Sequence, residues 1–89
     1  MEPVEVIARY ESGQAGSAGK ITPLRFTWQG GVYPVTSTGR RWQDESGYHI
    51  LVMAPGPVPG GEQVYELLFA LERACWYLKS PGQARRAAA

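Results

Sequence analysis

Arg40, Arg41 and Trp42 follow one another in this chain, and they are its best candidates for meeting another molecule. Guanidinium groups bond phosphate oxygens, and an indole stacks on an unpaired base. Arg25, on the outer face of a hairpin described below, is a fourth member of the set. The competing reading leaves the arginines solvated and uses Trp42 to close the core.

Other reactive side chains are few. His49 is the only histidine, flanked by Tyr48 and Ile50, so any histidine-based metal site or nucleophile-activating triad must assemble around a strand residue. Cys75 is the only cysteine, with Arg73 as the sole nearby cation in sequence to hold a thiolate, and it reads as a packing residue. Asp44 and Glu45 are adjacent, which aims them at opposite faces of a strand or leaves both solvated in a loop, unlike an opposed acid and base. The glycine-rich stretches 13–19 and 56–61 lack the Gly-Lys-Ser/Thr ending of a phosphate loop. No catalytic, cofactor-binding or metal-binding residue is assigned, and no enzyme is expected.

Elements that hold these residues emerge from periodicity. Val4, Val6, Ala8 and Tyr10 alternate with Glu5, Ile7, Arg9 and Glu11, the period of a half-buried strand. Small residues over 12–19 predict a flexible loop. Leu24, Phe26 and Trp28 alternate with Arg25, Thr27 and Gln29, and after Gly30-Gly31 the alternation resumes at Tyr33 and Val35, which predicts a hairpin. Pairing symmetric about the glycines sets Trp28 across from Tyr33 and Phe26 across from Val35, so four large apolar groups share one face. Pro34 lacks a donor and must avoid a bonded ladder site on an edge strand, which favours a four-residue loop from Gln29 to Val32.

Residues 37–47 read as a polar, charged connection around Trp42. Tyr48 to Met53 is apolar on both faces, as in a central strand or one covered on both sides. The prolines in 54–61 predict a connection that continues neither ladder nor helix. Residues 62–79 fit two patterns: Val64, Leu67, Leu68, Leu71, Cys75 and Leu78 follow helical spacing, while Tyr65, Leu67, Phe69 and Leu71 alternate as a strand that a turn near Glu72-Arg73-Ala74 would return.

Eighty-nine residues suffice for one core and no more, since a chain this short buries roughly 60 to 65% of its unfolded surface. A single domain over residues 1–80 with a disordered tail at 81–89 is the expectation. Nine basic against eight acidic residues, a net charge of +1, exclude a strong global field for nucleic acid or anionic membranes. No apolar run approaches the roughly 20 residues of a membrane-spanning helix. The lone cysteine forms no internal disulfide, and Met1-Glu2-Pro3 does not begin a secretory signal, so the cytoplasm is the expected location.

Taken in order, PVEV (3–6), PLRFTWQGGVYPV (23–35), Trp42, GYHILVM (47–53), VYELLF (64–69) and WYL (76–78) resemble a family of small, β-rich, uncharacterised bacterial domains. Some of these stand alone and others are attached to proteins resembling Y-family translesion DNA polymerases. The resemblance spans about residues 3–79 and rests on core and turn residues. It implies strand, short turn and strand for VYELLF to WYL, although ERAC (72–75) lacks the usual Gly or Asn of such a turn.

The resulting expectation is a mostly β fold, a small antiparallel barrel or half-barrel of five to six strands. Its alternative is an α+β fold, a four-stranded sheet with a C-terminal helix at 62–79. The expected function is a non-catalytic interaction module that docks a protein partner or associates with itself. The alternative is a nucleic-acid-binding accessory in DNA repair or damage tolerance that uses Arg25, Arg40, Arg41 and Trp42.

Overall fold

The computed structural model describes residues 2–11, 20–56 and 59–81. The expected loop 12–19, Pro57-Val58 and the tail beyond Pro81 lie outside the described residues. Seven strands form one antiparallel sheet: β1 (Glu2–Glu11), β2 (Lys20–Trp28), β3 (Gly31–Pro34), β4 (Ser37–Asp44), β5 (Gly47–Pro55), β6 (Glu62–Ala70) and β7 (Cys75–Pro81). Their order is β3-β2-β1-β7-β6-β5-β4. The chain is mostly β, and no helix occurs among the described residues. The strand pattern over 62–79 therefore prevails over the helical one.

Every pair of strands consecutive in sequence lies side by side except β3 and β4, which occupy the two edges. Only Val35 and Thr36 separate them, so they are two legs of one strand bent at that corner. The first leg pairs with β2 and the second with β5, a strand switching partners at a bend. At the corner Val35 N–H donates to Leu24 O (2.9 Å) and Thr36 N–H to Met53 O (2.8 Å). The sheet curls, but it is not closed into a barrel, and it has seven strands rather than five or six.

The additional strand is β4, where a polar connection was expected. An edge strand needs one apolar face at most, and β4 is further disguised by a bulge that sets Gly39 and Arg40 opposite Leu51. The ladder also continues through Ala54 and Pro55, which face Gln63 and Glu62. Proline loses only its donor, and at a strand end its carbonyl still serves: Tyr65 OH donates to Pro55 O (2.8 Å).

The β2–β3 hairpin differs from expectation by a slide of register. Trp28 pairs with Gly31 and Phe26 with Tyr33 around a two-residue turn, Gln29-Gly30, in which both residues have positive φ (49° and 76°). Two positive φ values match the right-handed twist of the flanking strands. Counting from the bonded pair that closes such a turn, Pro34 opposite Arg25 occupies a non-bonded site, so its missing donor costs no ladder bond. The slide moves each partner by an even number of positions, and the rings keep their shared face. Phe26 stacks on Tyr33 at 5.3 Å between centroids, and Trp28 lies 5.7 Å from Tyr33.

That face is the inner one. Phe26, Ile50, Val52, Ala54, Tyr65, Leu67 and Leu78 form the buried core, with Val4, Val6, Trp28, Tyr33, Val35 and Trp76 packed around it. Each fully buried large side chain stabilises the fold by roughly 1.5–3 kcal/mol. β5, between β4 and β6, also buries His49 on its other face, as a strand covered on both sides should.

Candidate binding site

Past the corner, β4 parts from β2. β3 covers β2 only over Arg25–Trp28, and the remaining stretch of β2, toward Lys20, faces β4 without a ladder between them. One side chain bridges the gap: Arg41 Nη1 donates to Ile21 O at 2.6 Å. Arg41 pairs with core residue Ile50, so its side chain stands on the inner face.

Behind that bridge lies a recess of about 440 Å³, within the range of roughly 300–1,000 Å³ typical of ligand sites. Tyr10, Ile21, Tyr48, Phe69, Leu71 and Trp76 supply half of its lining residues. Alternation puts them there: Tyr10 pairs with Ile21, Tyr48 with Phe69, and Phe69 with Trp76, each pair on the inner side of adjacent strands. Tyr10 (64%), Leu71 (47%) and Tyr48 (38%) are three of the exposed large apolar residues of the chain, and all three line this one recess. Single exposed apolar side chains are ordinary, whereas a cluster rimming a concavity marks an interaction site.

Two lysine or arginine side chains and no acid line the recess. Lys20 and Arg41 stand there together with Gln43, Trp42 and His49. All eight acids of the chain lie among the described residues, and none forms an ion pair with Lys20 or Arg41.

A second polar group lies on the outer face. His49, 2% exposed, has Nδ1 2.9 Å from Glu66 Oε2 and Nε2 2.9 Å from Asp44 Oδ1. Ionised carboxylates only accept, so the ring donates to both only when both nitrogens carry protons. The bond from His49, then that from Ser46 N–H, holds the Asp44 carboxyl below its ordinary value. Lys79 Nζ adds a 3.7 Å contact to Glu66. His49 stands between the acids and meets each through a different nitrogen, so the three share no common point for a metal ion. Cys75 Sγ contacts Arg73 O at 3.4 Å.

The four residues singled out from the sequence do not form one surface. Trp42 lies flat on His49, 4.9 Å away and 7° from parallel, and the Arg40 guanidinium sits 4.9 Å from the Trp42 ring centre. Trp42 thus covers the buried histidine, and Arg40 packs on it as a cation on an aromatic face. Arg41 turns the other way, into the recess. Arg25 is on β2, paired with Ile7 and Pro34 and exposed.

Sequence reasoning selected Arg41 but missed the walls of the recess. A usable signal was present: Tyr10 and Tyr48 continue core-facing alternations near the ends of β1 and β5, and Leu71 continues that of β6 into the turn that follows it.

Among the described residues no helix is long and apolar enough to cross a membrane. No family model, curated protein or solved structure matches the chain.

Proposed function

We propose that this chain is a non-catalytic interaction module that takes part of a protein partner into the recess between β2 and β4. The observation that carries this reading is the gathering of exposed Tyr10, Tyr48 and Leu71 around one concavity, on an otherwise filled face. Such a site offers apolar area for affinity and few polar groups for orientation. Recognition of nucleic acid, the alternative, draws on the family resemblance and on Arg40-Arg41-Trp42. Its stacking platform is already engaged, since Trp42 rests on His49 and carries Arg40.

Selection from a displayed library of random peptides tests the proposal. Enriched peptides should bind the folded chain and lose at least about tenfold in affinity with Leu71→Asp or Tyr10→Asp, both exposed positions. Sedimentation equilibrium identifies a second copy as the partner if a dimer reverts to monomer in the same variants. No enriched peptide and no dimer, or binding indifferent to both substitutions, rejects the reading.

A further inference from the structure

Resting on the recess as the binding site, we infer that its occupant is an extended acidic peptide segment, added as a strand along the free edge of β4 at Arg41–Gln43. Asp44 and Gly47 close the two-residue β4–β5 turn as a bonded pair. Bonding toward β5 therefore alternates, with Asp44 and Trp42 directed at β5 and Gln43 and Arg41 directed away from it. β4 is the edge of the sheet, so the N–H and C=O groups of Arg41 and Gln43 meet no further strand among the described residues. The side chains of the same two residues line the recess. A strand laid there would receive main-chain bonds from the residues whose side chains flank its own, the arrangement of peptide recognition by strand addition.

Width and charge specify the occupant further. Paired strands lie about 4.8 Å apart, whereas β2 and β4 at this level are joined by the length of an arginine side chain and one hydrogen bond. The gap is bounded by an edge on one side and by Lys20 and Ile21 on the other, and the Arg41 side chain crosses it. Two cations without an acid partner, in a recess lined by no acid, favour a segment that alternates acidic and apolar residues. The apolar side chains enter between Tyr48, Phe69 and Leu71, and the carboxylates, on the other face of the added strand, meet Lys20, whose neighbour Ile21 takes the inner side.

The test uses a short capped peptide alternating glutamate with phenylalanine and valine, the same peptide with lysine for glutamate, and single-stranded oligothymidylate, each titrated into the whole chain. The glutamate peptide should bind at least about tenfold tighter than the lysine peptide at low salt, with the difference shrinking as salt rises. Lys20→Glu should invert that preference. Arg41→Gln should weaken the glutamate peptide alone, and circular dichroism checks that this variant keeps its sheet. Amide exchange at Arg41 and Gln43 should slow on binding, while that of Trp42, already bonded to β5, should not change. Binding that depends on Leu71 but shows no charge preference, or no new protection at Arg41 and Gln43, overturns this inference and leaves the recess reading standing. Binding of neither peptide, or of the oligonucleotide alone, overturns both.

Discussion

Phe26, Tyr33 and Tyr65 touch ring to ring at one end of the inner face, whereas Tyr10, Tyr48 and Leu71 stand around open space at the other. Tyr65 meets Phe26 edge-on at 5.2 Å and Trp28 at 6.1 Å, and it is completely buried. The open end has rings as well, with Phe69 and Trp76 5.0 Å apart. Residue type does not separate the ends; cover does. β3 shields β2 only over Arg25–Trp28, and where the chain bends away at Val35–Thr36 the inner face loses its lid. A four-residue strand thus divides one apolar surface into a core and a site.

Substitutions at the two ends should break that symmetry of composition most visibly. Tyr65→Ala should cost about 3–5 kcal/mol by urea unfolding, through a cavity its neighbours cannot refill. It also removes the donor to Pro55 O, a phenol whose pKa burial, followed by the nearby Tyr33, raises above its ordinary value. Leu71→Ala, at the rim of the recess, should stay within about 0.5 kcal/mol of the parent. A comparable loss at both positions would mean that the recess is part of the core.

The open end is loose in side chains only, and Gly47 shows why. It lies where β5 meets β6, with φ of +142°, and an added Cβ would stand 2.1 Å from Phe69 O. Backbone cannot yield as a flexible side chain can, so Gly47→Ala should destabilise by about 3 kcal/mol. A loss under about 1 kcal/mol in the same assay would mean that the β5–β6 ladder beside the recess is as adaptable as its rim.

On the outer face of the same end, Asp44 ties the β4–β5 hairpin to His49. Its folded-state pKa lies below its ordinary value of 3.8, so its contribution is fully present above that value and fades as pH falls through the lower folded one. Urea midpoints should therefore drop in that acid range, and Asp44→Asn should flatten the drop there. An unchanged acid limb in Asp44→Asn would assign acid sensitivity elsewhere.

How much of this was legible depends on cover as well. Phe26, Trp28, Tyr33 and Val35 declared their common face through alternation, and that inference survives a register slide because the slide preserves parity. The exact pairing was hidden, since Gln29 occupies a left-handed position where glycine was expected. β4 was unreadable for a different reason: an edge strand with a bulge buries too little to impose a pattern. The candidate site was least legible, because Arg41 and Trp42 are neighbours in sequence that point to opposite faces. The recess depends on where β3 ends, a property of the sheet rather than of any segment. The twofold reading of 62–79 resolved as strands because both faces of β6 find cover, with Leu67 and Leu68 both buried.

The smallest effect asks whether the open end is held open by strain. Each end carries one non-glycine residue in the left-handed region: Gln29 (φ 49°) in the β2–β3 turn and Ala74 (φ 54°) in the Leu71–Ala74 turn. Ala74 N–H donates to Ala70 O at 2.8 Å, which fixes that turn beside Leu71 of the recess. An L-residue in this conformation costs roughly 1–2 kcal/mol, and glycine's extra chain entropy returns about half of any relief. Gln29→Gly and Ala74→Gly should each stabilise by about 0.5–1 kcal/mol in denaturant unfolding. Equal gains leave cover as the whole difference between the two ends. A gain confined to Ala74→Gly would locate stored strain at the recess, and the opening would then owe as much to the β6–β7 turn as to the shortness of β3.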